Sequence, residues 1–352
     1  MRVLRHNHRQ LARQIVAPAI PLPLQALQVR LCWRNQISIQ ISLELVDFHH
    51  SQKLSKLKLF YCDQHHFPLP PGHKFPLAKY RLLRELLTGV GTFELHEAPL
   101  ATREEVLRVH TTEYTDGFLS GTLEPAVMRR IGFPWSPELV KRTLASAGST
   151  LQAVRTALAA GMAGTLAGGT HHAFRAEGSG FCVFNDLAIA IQQVRACNGL
   201  RRAAVVDLDV HQGDGTASIF SEDAAVFTLS VHGQKNFPFR KQKSCLDVEL
   251  EDQTQDDEYL TKLKKALESV WKSAPELILY QSGVDGLKSD RLGRLGLTAE
   301  GLRQRDELVI EGAKRLGMPL AITLGGGYSE PIELTVAAHA NTFRIASRIY
   351  NR

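Results

Sequence analysis

The sequence lacks a long hydrophobic run, and its few cysteines form no recognisable pairing pattern. No stretch approaches the roughly 18 apolar residues that a membrane-spanning helix needs, so we expect no membrane partner. The five cysteines are an odd number, and no two of them form a C-x-x-C pair. This usage argues against a disulfide framework and a thiolate zinc site, and it predicts a reducing, cytoplasmic location.

Acidic residues are scarce, and glycine is absent, in the first part of the chain. Residues 1–58 contain nine Lys and Arg but only two Asp and Glu. The other 294 residues contain 33 Lys and Arg and 34 Asp and Glu. The net charge of +6 thus comes from this segment, and we expect no direct nucleic-acid binding by the body of the protein. We predict a basic N-terminal extension over residues 1–56. It is a targeting peptide, an extension of little consequence, or a stretch upstream of the true start.

From residue 57 onward, short apolar segments alternate with amphipathic ones. Helix-start signals stand at Thr102–Glu105, a capping box, and at Ser136, which precedes a proline, and Gly161 closes the second helix. The alternation predicts one α/β domain over residues 57–352, with a doubly wound, mostly parallel sheet and helices on both faces. Strands are predicted at residues 56–61, 203–208, 226–231, 277–281 and 320–324, and helices at 76–87, 185–197, 257–273 and 298–316.

Polar or glycine-rich clusters follow the predicted strands. They are residues 168–172, 207–215, 282–285 and 325–328. Because ligands of such sheets bind beyond the carboxyl ends of the strands, the site is expected where these clusters meet.

The segment Asp207-Leu208-Asp209-Val210-His211 carries two carboxylates and an imidazole on one face of an extended chain. A solvated turn is the alternative, but buried like charges repel unless a cation compensates them. Asp285 follows another apolar strand and supplies a third ligand beside Asp209 and His211. Three protein ligands with an open position are typical of a catalytic zinc.

Two further elements could carry out proton transfer and oxyanion stabilisation. The pair His171-His172 could accept and donate protons, with Asp207 and Asp214 as the carboxylates that orient the rings. Tyr328, after three glycines, is either a packed side chain or a hydrogen-bond donor to a developing oxyanion.

Together these residues resemble the zinc-dependent histone deacetylase superfamily of the arginase/deacetylase fold. The resemblance extends from about residue 58 to the C-terminus, and two stretches, residues 251–260 and 290–309, are most like the class IV branch. The motifs that carry it, in order, are GGTHH at 168–172, GSGFC at 178–182, DLDVHQGDG at 207–215, SGVD at 282–285 and GGGY at 325–328.

The resemblance implies one Zn²⁺ per chain on Asp209, His211 and Asp285. His172 would be the general base and acid, supported by Asp214. His171 would be its electrostatic partner, supported by Asp207, and Tyr328 would polarise the acyl carbonyl. Gly180, Phe181 and Phe237 would line the substrate tunnel. A structural monovalent cation such as K⁺ would lie at Asp207, Asp209, His211 and Ser230.

The implied activity is removal of acetyl or other acyl groups from lysine side chains of proteins. The acidic rim residue that many deacetylases carry before the histidine pair has no obvious equivalent in residues 128–133. Three alternatives stay open: a deacylase of small N-acyl amines such as acetylpolyamines, a catalytically silent binding protein, and an arginase-like binuclear manganese enzyme, for which carboxylates are few.

Overall fold

The computed structural model describes residues 56–351. Over these residues the chain forms an eight-stranded sheet in the order β2-β1-β3-β8-β7-β4-β5-β6, and every pairing between neighbours is parallel. The strands are β1 (Leu57–Tyr61), β2 (Phe93–Glu97), β3 (Met162–Thr165), β4 (Ala203–Asp207), β5 (Val226–Gly233), β6 (Leu246–Leu250), β7 (Ile278–Gln281) and β8 (Leu320–Thr323). The prediction of a parallel α/β sheet is confirmed.

Helices cover both faces of this sheet. Ala204 and Val206 of β4 join one hydrophobic cluster, and Ala203 and Val205 join the other, because alternate side chains of a strand point to opposite faces. The first cluster contains side chains of α1, α8, α9 and α10, and the second contains those of α2 to α7. The helices are α1 (Ala78–Thr88), α2 (Arg103–Val106), α3 (Thr112–Ser120), α4 (Pro125–Ile131), α5 (Pro137–Ala160), α6 (Asp186–Asn198), α7 (Asp214–Ile219), α8 (Asp256–Lys272), α9 (Ala299–Arg315) and α10 (Ile332–Tyr350).

The hydrogen bonds expected from the two helix-start signals are present in the structure. The Thr102 hydroxyl accepts a hydrogen bond from the backbone N–H of Glu105 at 3.2 Å, and the Glu105 carboxylate accepts one from the backbone N–H of Thr102 at 2.9 Å. The Ser136 hydroxyl accepts from the N–H of Leu139 at 3.1 Å. These bonds satisfy backbone donors that the first turn of a helix leaves free.

The sheet order places the predicted polar clusters together. Strands β3, β8, β7 and β4 are consecutive neighbours in the sheet, and each is followed by one of the four clusters. Because the strands are parallel, their carboxyl ends lie at one edge, where a single site can form.

The basic N-terminal extension lies outside the described residues apart from Lys56, which precedes β1. None of the described helices combines the length and the apolar composition that crossing a bilayer requires.

Candidate active site

Three donor atoms converge at the carboxyl ends of β4 and β7. Nδ1 of His211 lies 3.0 Å from Oδ1 of Asp209 and 3.1 Å from Oδ2 of Asp285. Two ligands of one tetrahedral zinc are about 3.3 Å apart, since zinc–ligand distances are about 2.0–2.1 Å. Over residues 56–351 this is the one group of His, Cys and acidic side chains with the spacing of a metal site. Its donor set therefore fits a zinc ion.

The remaining carboxylate oxygens are fixed by backbone N–H groups. Oδ2 of Asp209 accepts from Gly326 at 2.6 Å, and Oδ1 of Asp285 accepts from Val210 at 2.9 Å. Both carboxyl groups are almost fully buried. A Cβ atom at Gly326 would lie 1.8 Å from Asp285, so only glycine lets this backbone approach the carboxylates. The other two oxygens, Oδ1 of Asp209 and Oδ2 of Asp285, face Nδ1 of His211, and Oδ1 of Asp209 also accepts from the backbone N–H of His211 at 3.0 Å.

Without a cation the two carboxylates destabilise each other. Burial, and then the nearby Asp209, raise the pKa of Asp285 to about 7. Such proximity of buried acids is costly unless positive charge or hydrogen bonds compensate it. A divalent ion would supply that charge, which is a second observation in favour of a metal.

The two adjacent histidines are each oriented by a carboxylate. Nδ1 of His171 lies 2.7 Å from Oδ2 of Asp207, and Nδ1 of His172 lies 2.7 Å from Oδ1 of Asp214. An ionised carboxylate only accepts hydrogen bonds, so Nδ1 carries the proton in both rings. Nε2 of each ring is left free for chemistry.

The same surroundings push the two imidazoles toward opposite charge states. Burial alone would lower the pKa of His171, but the Asp207 carboxylate outweighs it and raises that pKa to about 9. Burial, and then the neighbouring charged His171, lower the pKa of His172 to about 4. At neutral pH His172 is therefore an unprotonated base beside a cationic His171.

Tyr328 lies on the loop that follows β8. Its backbone N–H donates to Asp290 at 2.6 Å, and its backbone carbonyl accepts from Arg291 at 3.2 Å. Burial, and then Asp209 and Asp285, raise the phenol pKa well above its usual value. The hydroxyl thus keeps its proton and can donate it in a hydrogen bond.

The predicted tunnel residues line one cavity of about 680 Å³ together with Asp209 and His211 of the metal cluster and the histidine pair. The ring of Phe237 packs edge-on against His172, with centroids 4.9 Å apart. Gly180 has a φ of +54°, and a Cβ there would lie 2.8 Å from the His172 ring. Phe181 packs against Phe133 at 5.4 Å between centroids. Two aromatic side chains thus face a cavity whose floor carries the donor atoms.

The sequence of this chain matches a known protein family. The histone deacetylase domain family matches residues 73–343. That match covers more than half of the chain. The protein belongs to the histone deacetylase family.

Similar proteins come from bacteria and plants. This histone deacetylase family member is 43% identical to an uncharacterised protein of Picosynechococcus sp. over 80% of its own length and 96% of the other. It is 30% identical to a histone deacetylase-like amidohydrolase of Pseudomonas aeruginosa, with 75% and 74% of the chains covered. It is 29% identical to histone deacetylase 2 of Arabidopsis thaliana, with 81% and 78% covered.

A solved structure supports the same assignment. A histone deacetylase homologue in complex with SAHA superposes with a TM-score of 0.70 at 26% identity, and 84% of each chain is covered. The family member is thus a hydrolase of the deacetylase type. The class IV branch stays a prediction.

Several supporting residues of this family member are not apparent from its sequence. Asp186, at the start of α6, accepts hydrogen bonds from the backbone of Gly169 at 3.0 Å and Thr170 at 2.7 Å, and so anchors the loop that carries the histidine pair. The buried Lys79 of α1 donates to the carbonyl of Gly325 at 3.0 Å. A lysine on an amphipathic helix is normally exposed, so no local signal marks it.

The resemblance also implies a monovalent cation site that includes Asp207 and Ser230. Ser230 of β5 pairs in register with Asp207 of β4, which brings the two residues side by side behind the metal cluster. The Ser230 hydroxyl lies 2.9 Å from Nδ1 of His232. The K⁺ site stays a prediction.

Proposed function

We propose that the protein is a zinc-dependent hydrolase that removes acyl groups from lysine side chains of proteins. The observation that carries this proposal is the combination of a three-donor metal cluster with a neutral His172 in one aromatic-lined cavity. Phe181 and Phe237 both line this cavity, which would admit an extended aliphatic side chain to the donor atoms. A catalytically silent binding protein would not need a metal cluster and a neutral histidine base in the same cavity.

A zinc ion held by Asp209, His211 and Asp285 would polarise the acyl carbonyl and lower the pKa of a water molecule. Nε2 of His172 accepts a proton from the attacking water, because Asp214 holds the proton of the ring on Nδ1. The same nitrogen then protonates the departing lysine amine. His171, held cationic by Asp207, stabilises the negative charge that develops next to it.

Tyr328, on the loop that follows β8, completes this arrangement. Its neutral hydroxyl donates a hydrogen bond to the carbonyl oxygen as negative charge develops there. The backbone contacts with Asp290 and Arg291 fix the position of the loop before substrate binds. The products are a free lysine side chain and a carboxylate.

A panel assay tests this function. Zinc-loaded protein is expected to hydrolyse acyl-lysine peptides, and removal of zinc by a chelator should abolish the reaction until zinc is restored. The panel contains acetyl-lysine peptides, longer acyl-lysine peptides and acetylpolyamines. If an acetylpolyamine has a kcat/KM more than about tenfold above every acyl-lysine peptide, the small N-acyl amine alternative replaces the proposal.

The N-terminal segment is expected to be dispensable for catalysis. Because the motif-bearing residues all lie beyond it, deletion of residues 1–55 should leave kcat/KM within about threefold, or roughly 0.7 kcal/mol. The measurement compares the two purified proteins at equal zinc content. A well-folded truncated protein that has lost activity by orders of magnitude would show that the segment contributes to the site.

A further inference from the structure

The mouth of the catalytic cavity is lined by cations from the end of α4 and from two loops. We call Arg130, Lys235, Arg291 and Arg294 the basic rim; all four are exposed or partly exposed and line the cavity. Among the described residues that line this cavity, Asp209 is the one acid, and it belongs to the metal cluster on the floor. The charged side chains that line the entrance of the cavity are therefore all positive.

The three arginines of the basic rim are paired, but weakly. Arg130 contacts Glu177, Arg291 contacts Glu330 at 3.0 Å, and Arg294 contacts Asp252 at 2.8 Å. None of these three carboxylates lines the cavity. Since exposed ion pairs of this kind contribute little, the guanidinium groups can exchange their partners for a carboxylate on a ligand.

Lys235 and its loop carry positive charge outside any ion pair of the described residues, while two acids of β6, Asp247 and Glu249, hydrogen-bond the ends of the loop at Ser244 and Gln234. Over residues 56–351, Lys235 makes no ion pair. The loop 234–244 also contains Arg240, Lys241 and Lys243, and it has no acidic residue. Residues 59–352 carry nearly equal numbers of acidic and basic side chains, so this positive charge is a local feature of the loop and not a property of the whole body.

The same loop presents an apolar contact. Phe239 is 89% exposed and packs edge-on against the tunnel residue Phe237, with ring centroids 6.3 Å apart. A large exposed aromatic side chain beside a substrate entrance is a common feature of surfaces that bind a chain segment. The loop thus combines an apolar contact with cations at the point where residues flanking the target lysine would lie.

From this combination we propose that the protein acts on acyl-lysines that lie in acidic segments of polypeptide. The proposal rests on the function proposed above and names its substrate class. Carboxylates of Asp or Glu beside the acyl-lysine bind the basic rim, whereas Lys and Arg flanks are repelled. Acetylpolyamines are poor substrates for the same reason, because their remaining ammonium groups meet cations at the entrance.

The test uses acyl-lysine peptides of one sequence whose flanking residues are all Asp and Glu, all Gln, or all Lys and Arg. An acyl-lysine amide without flanking residues is the fourth substrate. For the full-length zinc-loaded protein we expect kcat/KM for the acidic peptide to exceed that for the basic one by about tenfold at about 20 mM salt. Screening should reduce this ratio to less than about threefold at about 0.5 M salt, where the Debye length is about 4 Å.

Two charge-reversal variants test whether the loop 234–244 causes the preference for acidic peptides. Lys235→Glu should reduce the ratio of kcat/KM between the acidic and basic peptides by at least about fivefold, and any general loss of activity cancels in this ratio. Lys264→Glu, an equal charge change at an exposed position of α8 outside the cavity, should leave the ratio unchanged. If Lys264→Glu reduces the ratio of kcat/KM as much as Lys235→Glu does, the preference depends on the net charge of the protein, and the proposal is overturned.

The outcomes separate the two proposals. Hydrolysis of all four substrates at similar rates, or a preference for the basic peptide, overturns the acidic-segment proposal and leaves the lysine deacylase function intact. A protein that hydrolyses none of the four, but hydrolyses an acetylpolyamine, overturns both.

Discussion

Asp285→Asn is expected to reduce zinc content from about one per chain to near zero and to lower kcat by at least about 10³-fold, because a metal ion supplies several kcal/mol of transition-state stabilisation. Asparagine has the shape of the aspartate and can still accept the hydrogen bond from Val210, but it brings no negative charge to the ion. Asp209→Ala should give the same result. Elemental analysis and steady-state kinetics on the same preparations measure both effects.

Stability distinguishes this loss from unfolding. Since burial and Asp209 raise the pKa of Asp285 to about 7, its ionised form is unfavourable in the metal-free protein. At pH 7 and above, where Asp285 must be ionised, metal-free Asp285→Asn should therefore melt no lower than the metal-free parent. Asp256→Asn, which removes a carboxylate that binds Thr298 outside the cavity, is the control and should keep zinc and kcat. Full zinc with normal turnover in both site variants would show that these residues are ordinary turn residues.

Tyr328→Phe is expected to lower kcat by about 10²–10³-fold while zinc content and Tm stay nearly unchanged. The change deletes one hydroxyl, and loss of one oxyanion donor typically costs about 3–4 kcal/mol. The backbone contacts of residue 328 with Asp290 and Arg291 do not depend on the hydroxyl and should persist. Residual activity should remain, because the metal continues to polarise the carbonyl.

Tyr114→Phe is the matched control for this substitution. The buried Tyr114 hydroxyl donates to the carbonyl of Val183 at 2.8 Å, and Tyr114 itself does not line the cavity. Its removal should cost about 1 kcal/mol of stability and almost no kcat. A zinc-loaded Tyr328→Phe protein with less than about a fiftyfold loss of kcat would exclude Tyr328 from the mechanism.

The central strands could be predicted from sequence because they are apolar on both faces. The predictions for β4, β5, β7 and β8 agree with the structure to within two residues at each end. The sequence did not reveal β2, β3 or β6. Strands β2 and β6 lie at the edges of the sheet and carry polar residues, and β3 is only four residues long and contains Gly164. Such strands are recognisable only from the neighbours with which they pair.

The sequence predicted the site residues that directly follow strands. It did not predict the residues that contact the site from helices. Asp209, His211 and Asp285 stand at strand ends, so the fold class alone brings them together. Lys79 of α1 contacts the loop after β8 at Gly325, 246 positions away in sequence, and Asp186 of α6 contacts the loop after β3. Only the tertiary structure identifies such contacts.

Strand β8 is the last to be synthesised, yet it lies in the middle of the sheet between β3 and β7. While the ribosome is still producing the C-terminal part, the strands β1 to β3 and β4 to β7 can only form two separate half-sheets. Each half-sheet then exposes an edge with unpaired backbone groups, and such edges promote aggregation. The nascent chain is therefore vulnerable until β8 emerges, and protection by a chaperone would matter most at that stage of translation.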